Sequence, residues 1–157
     1  MDQGLANLGA ISIEYGQFEQ SLAPSRQAAD LYRDLAESDP SLYLRRLAGV
    51  LQNRVVALGR LQRLAEAPTW ELVVVLRRLA TADPAQYTPA LARGLYNLAV
   101  AGVLSQELDA AAASVAEAIE LYTPLARRGP TEYKAELRAA RRLARRLRLL
   151  LWAKPSA

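Results

Sequence analysis

A ten-residue phrase is written three times in this chain. "LYRDLAESDP" ends at Pro40, "VLRRLATADP" at Pro84 and "LYTPLARRGP" at Pro130, at spacings of 44 and 46 residues. The likeness continues past each marker. A Tyr follows three residues after the Pro (Tyr43, Tyr87, Tyr133), and a Leu seven after it (Leu47, Leu91, Leu137). Upstream, Pro24 and Pro68 are also 44 residues apart. Self-similarity at a fixed period of this size marks a repeat architecture, in which each copy is one supersecondary unit that buries its apolar face against the next.

The apolar spacing inside each copy is helical. Leu44, Leu47, Leu51, Val55 and Leu58 recur at intervals of three and four, as do Leu91, Leu95 and Leu98, while Arg45, Arg46, Gln52 and Asn53 take the other face. The Asp-Pro and Gly-Pro pairs end one helix and open the next. Pro has no N–H to give, drives the preceding residue out of the helical region, and suits the first helical position. Asp39 or Ser41 is the expected cap. A second break is expected near Gly16, Gly59 and Gly102, where Gly can take the left-handed conformation that closes a helix. Two helices per copy follow, with helices near 4–14, 17–38, 42–58, 60–82, 86–101, 105–127 and 131–152. Pro24 and Pro68 fall inside the second helix of their pairs, and either bend it or mark a short loop that divides it.

Composition removes most chemistry. A chain of 157 residues, 52% hydrophobic and 23% charged, is long enough to bury a core. It has no Cys and no His, so disulfides, thiolate metal sites, the usual general base and every Ser-His or Cys-His nucleophile are missing. Phosphate-loop, dinucleotide, zinc-protease and EF-hand motifs are also missing. Carboxylate pairs such as Glu117 and Glu120 stand at helical spacing, as solvated surface pairs do. The expectation is a protein that is not an enzyme and carries neither cofactor nor metal. No apolar run reaches membrane-spanning length and the N-terminus lacks a signal-peptide layout, so the expected compartment is cytoplasmic.

"LANLGAISIEYGQFEQSLAPSRQAADLYRDLAESDPSLYLRRLAGVLQNRV" resembles the tetratricopeptide repeats of the longer, kinesin-light-chain-like type found in tandem in actinobacterial multidomain proteins. Asn7-Leu8, Asn53 and Asn97-Leu98 match its Asn-Leu element; Arg54 departs from it, and Gly129 replaces the Asp of the joint. The resemblance implies an all-α fold, a right-handed α-solenoid of about three helix hairpins plus a C-terminal capping helix, in one domain spanning 1–157. The copies run roughly 4–40, 41–84 and 85–130, with a final basic amphipathic helix over 131–152. It also implies a non-enzymatic scaffold or sensor that binds a peptide or protein partner on a concave face. The candidate partner-binding residues lie on the polar side of the first helix of each pair: Arg45, Arg46, Gln52, Asn53, Arg93, Tyr96 and Asn97. Asn amides at these positions either clamp an extended peptide or bond to the neighbouring helix.

Both ends depart from a plain array. Aligning Tyr32 with Tyr122 sets Asn7 on Asn97 and Met1 on Leu91, so the first helix begins about two turns late and leaves an apolar edge. Either the chain is a segment of a longer protein, or another molecule, a second copy included, closes that edge. In the last helix Arg138, Arg141, Arg142, Arg145, Arg146 and Arg148 fill an arc of about 160°, with Leu149 and Trp152 on the same side. It reads either as a cap with a solvated outer face or as a docking helix for an acidic protein, anionic membrane or nucleic acid. Membrane and nucleic acid rank behind a protein partner.

Overall fold

The computed structural model describes residues 2–153; Met1, aligned above with Leu91, lies outside them. Every regular element among the described residues is helical: α1 (Asp2–Glu14), α2 (Phe18–Ser38), α3 (Pro40–Arg60), α4 (Thr69–Ala82), α5 (Pro84–Leu104), α6 (Leu108–Arg128) and α7 (Thr131–Trp152), with one 3-10 turn at Leu64–Glu66. No helix is long and apolar enough to cross a membrane among the described residues. The chain divides within α4 into two compact units, Met1–Leu79 and Ala80–Ala157.

The two Asp-Pro joints are built alike. Asp39 and Asp83 are extended (φ −137° and −141°), as a residue before Pro must be, and Pro40 and Pro84 open the next helix. The Asp39 carboxylate accepts the Leu42 N–H, and Asp83 accepts the Gln86 N–H, both at 3.1 Å. The Ser41 hydroxyl donates to Asp39 at 2.6 Å; with the Leu42 N–H it holds that carboxyl below its ordinary pKa. At the third joint Gly129 has ordinary extended angles (φ −110°, ψ −172°). Its lack of a side chain answers to space: a Cβ there would lie 2.8 Å from the Leu125 carbonyl oxygen and 2.9 Å from the Tyr133 ring.

Within each pair the helices are joined by one repeated turn. The N–H of Gln17 reaches the Ser12 carbonyl and that of Gly16 the Ile13 carbonyl; Arg63 to Leu58 and Gln62 to Gly59 repeat this, as do Glu107 to Gly102 and Gln106 to Val103. These are Schellman closures, which require a left-handed residue just past the helix. Gly16 fills that position in the first turn (φ 72°), but Gln62 (φ 59°) and Gln106 (φ 64°) fill it in the others. The expectation for Gly59 and Gly102 is therefore corrected. A Cβ on Gly102 would sit 3.1 Å from the Ala111 Cβ, so that glycine serves the close approach of α5 and α6. Left-handed geometry costs a side-chain-bearing residue about 1 kcal/mol. Replacing Gln62 and Gln106 together by Gly is expected to raise the melting temperature by about 3 °C or more, read by thermal denaturation.

The expected helix over 60–82 is also corrected. After Gly16 and after Gln106 the next helix begins two residues later, whereas after Gln62 it begins only at Thr69. Pro24 stands eight residues past its left-handed residue and is absorbed inside α2; Pro68 stands six past and ends an irregular stretch holding the 3-10 turn. Pro68 stands two residues nearer its left-handed residue than Pro24 does, and the helix opens just after it, at Thr69. At Pro68 a loop divides the helix; at Pro24 the helix continues.

In the first unit α1 packs on α2 and α3, and α2 on α3. Fully buried Ala28 and Ala29 on α2 let the helices approach, around Tyr32, Leu51, Val55 and Leu58. In the second unit α6 packs on both α5 and α7, with Tyr122, Ala118, Val115, Leu95, Ala140 and Leu147 inside. Each buried Leu or Val contributes about 2 kcal/mol of apolar transfer. On α1, Leu8 and Ile11 are half exposed.

Candidate functional site

On the first unit, α1 and α3 border an open cleft of about 240 Å³ lined by Gln3, Ala6, Asn7, Tyr32, Arg46, Gly49, Val50 and Asn53. Helical spacing does the gathering. Gln3 and Asn7 lie one turn apart on α1, and Arg46, Gly49, Val50 and Asn53 follow the i, i+3, i+4, i+7 stripe of α3. Gly49 leaves the middle of the cleft without a side chain, and a Cβ there would meet nothing. The Gln3 Nε2 approaches the Asn7 Oδ1 at 3.4 Å. The Arg46 guanidinium lies 5.5 Å from the centre of the Tyr43 ring, which itself stacks on Tyr32 at 6.2 Å. Amides, one cation and a flat apolar floor therefore share one solvent-facing surface.

The second unit carries different residues at the corresponding positions of its sequence. Tyr122, Asn97 and Tyr133 stand 90 residues after Tyr32, Asn7 and Tyr43; Arg93 stands after Gln3 and Glu136 after Arg46 at that interval. There the Arg93 guanidinium bonds Glu136 Oε1 at 2.9 and 3.2 Å. Behind the pair, Tyr122 is 1% exposed, and desolvation, then the charge of Glu136, pushes its phenol above the ordinary range. Of the residues expected to bind a partner, Arg46 and Asn53 thus meet in the α1–α3 cleft and Arg93 is spent on an intramolecular ion pair. Arg45 is exposed and Gln52 half-buried on α3, and Tyr96 and Asn97 are half-buried on α5; none of the four lines the cleft. Gln3 was not expected at all. Its signal was the 90-residue offset that pairs it with Arg93.

A larger recess, about 380 Å³, lies beside the shortened α4 connection and is lined by Leu22, Ala23, Arg26, Gln27, Arg54, Leu58, Arg63 and Glu66. Arg54 Nε is buried there without a hydrogen-bond partner, and burial lowers its pKa. Arg63, however, is bound by Glu66 (2.7 Å) and Glu19 (3.2 Å), and nearby Arg33 by Glu71 (2.8 Å) and Asp30 (2.9 Å), so the charges around this recess balance.

α7 buries Leu137, Ala140 and Leu147 and exposes Arg138, Arg141, Arg142, Arg145, Arg146 and Arg148. Leu149 and Trp152, 68% and 86% exposed, prolong the Arg138, Arg142, Arg145 stripe at helical spacing. The helix holds seven basic residues and two acidic ones, enough to account for the whole net charge of +4. Arg138 and Arg141 join Arg127 and Lys134, neither of them expected, around a cleft between α6 and α7. Among the described residues no cluster of three or more acidic side chains is placed to hold a metal ion. Comparison with protein-family models, curated proteins and solved structures finds no match to this chain.

Proposed function

We propose that the chain is a non-enzymatic interaction module: a right-handed solenoid of tetratricopeptide-like hairpins that binds an extended, acidic peptide segment of a protein partner. The repeated phrase and the similar turns and joints support the repeat reading. The α1–α3 cleft carries the binding reading. Asn7, Asn53 and Gln3 each offer a donor and an acceptor, which suits the alternating groups of an extended peptide backbone. Arg46 beside them, at the position that corresponds to Glu136 in the second unit, favours a carboxylate of the ligand. A second reading, association of α7 with anionic membrane or nucleic acid, is favoured by the exposed arginine stripe that ends in Trp152.

An array of immobilised peptides, half of them rich in Asp and Glu, tests the first reading. The expected result is selective retention of acidic peptides, with affinity reduced about tenfold or more in an Asn7→Ala, Asn53→Ala variant, as the loss of paired amide contacts implies. Retention without preference for acidic sequence, or an unaffected variant, removes the proposal.

A further inference from the structure

Three arginines elsewhere in the molecule are ion-paired: Arg33 with Asp30 and Glu71, Arg63 with Glu19 and Glu66, Arg93 with Glu136. The α6–α7 cleft differs from these. About 340 Å³ in volume, it is lined by Arg127, Lys134, Arg138 and Arg141, with Thr123, Ala126 and Leu137 as the less polar wall. No carboxylate lines it, and none of its four cations makes an ion pair among the described residues. The Thr123 hydroxyl is already committed, donating to the Ile119 carbonyl at 2.7 Å. Glu136, the acid nearest in sequence to Arg138, is held by Arg93.

Four like charges around one concavity repel each other, and water and salt only partly screen them. The end of α6 offsets little of this. Its last turn carries Arg127 and Arg128, where the helix dipole supplies about half a negative charge, against four full positive ones. A volume in the range of small-molecule sites together with this surplus calls for a compact ligand carrying two or more negative charges. A single carboxylate has one; a phosphate group has close to two and offers the oxygens that guanidinium forks bind in pairs.

We propose that the α6–α7 cleft is a phosphate-binding site, with Arg127, Lys134, Arg138 and Arg141 as its ligand contacts and a compact phosphate ester or anhydride as its ligand. The site shares no residue with the peptide-binding cleft of the first unit, so either proposal can fail alone. The probe is inorganic pyrophosphate, titrated calorimetrically into the whole chain at low salt and at about 0.15 M salt. Saturable binding of one equivalent is expected, with a raised melting temperature. Lys134→Gln with Arg138→Gln is expected to weaken it about tenfold or more, while Arg145→Gln with Arg146→Gln, equal in charge lost but outside the cleft, should stay within about twofold. Equal weakening by both variants would show a diffuse field along α7 and overturn the site; so would heat that never saturates.

A second arm uses vesicles containing phosphatidic acid. If pyrophosphate competes with the vesicles, the phosphate belongs to a lipid headgroup seated in the cleft; if it binds without competing, the ligand is free in solution. Vesicle binding with no pyrophosphate binding would place recognition on the outer stripe of α7 and overturn the proposal.

Discussion

Replacing Tyr122 by Ala is expected to destabilise the chain by about 4 kcal/mol, the cost of removing a buried aromatic ring from a core that relaxes only in part. Tyr122 is 1% exposed and among the largest of the fully buried side chains. Tyr122→Phe is expected to cost about 1 kcal/mol, because the ring stays and Arg93 and Glu136 keep each other. The same hydroxyl ties stability to pH. Its phenol ionises at the ordinary 10.0 when unfolded and above that when folded, desolvation being the main cause. The folded state then holds its proton longer, so this contribution is complete below pH 10 and is lost as pH rises beyond it. Urea denaturation of the wild type at successively higher pH should show that decline, and Tyr122→Phe should flatten it. A Tyr122→Ala variant losing under about 1.5 kcal/mol would mean that the ring is not a centre of the core.

The helices were legible because three signals coincide at the two Asp-Pro joints. Apolar residues at three and four set the faces, Pro sets each joint, and Asp39 and Asp83 cap the helices that follow. The turns within pairs were misplaced because glycine is a favoured left-handed residue and not a required one. Gln62 and Gln106 take that conformation once the two Schellman hydrogen bonds hold them, while Gly102 is drawn to the contact with Ala111. Pro24 and Pro68 occupy equivalent places in sequence and differ in outcome, with two residues fewer between the turn and Pro68. Periodicity does not register that contraction.

The candidate sites were only half visible for a related reason. Stripes along one helix can be read from spacing, so Arg46 and Asn53, or Arg138 and Arg141, could be named together. What joins them from a second helix depends on packing. Gln3 and Asn7 arrive from α1, Arg127 from α6, and Glu136 reaches across to take Arg93 away from any partner. Only the 90-residue interval, followed through every position, connects Gln3 with Arg93 and Arg46 with Glu136.

That correspondence gives the sharpest functional expectation. A chain carrying Gln3→Arg together with Arg46→Glu writes the closing ion pair of the second unit into the first. Its acidic-peptide affinity is expected to fall about thirtyfold, the loss typical of a central contact residue, since the cation that meets the ligand's carboxylate is replaced by a like charge. Its stability is expected to fall by no more than about 2 kcal/mol: the new pair is partly exposed and contributes little, while Arg46 gives up its contacts, that with the Tyr43 ring among them. Gln3→Arg alone acts oppositely, adding a second cation beside Arg46 and tightening acidic peptides, most strongly at low salt. Calorimetric titration with one acidic peptide, alongside thermal denaturation, reads both quantities. If the double variant binds as the wild type does while remaining folded, the α1–α3 cleft is not where the peptide lies.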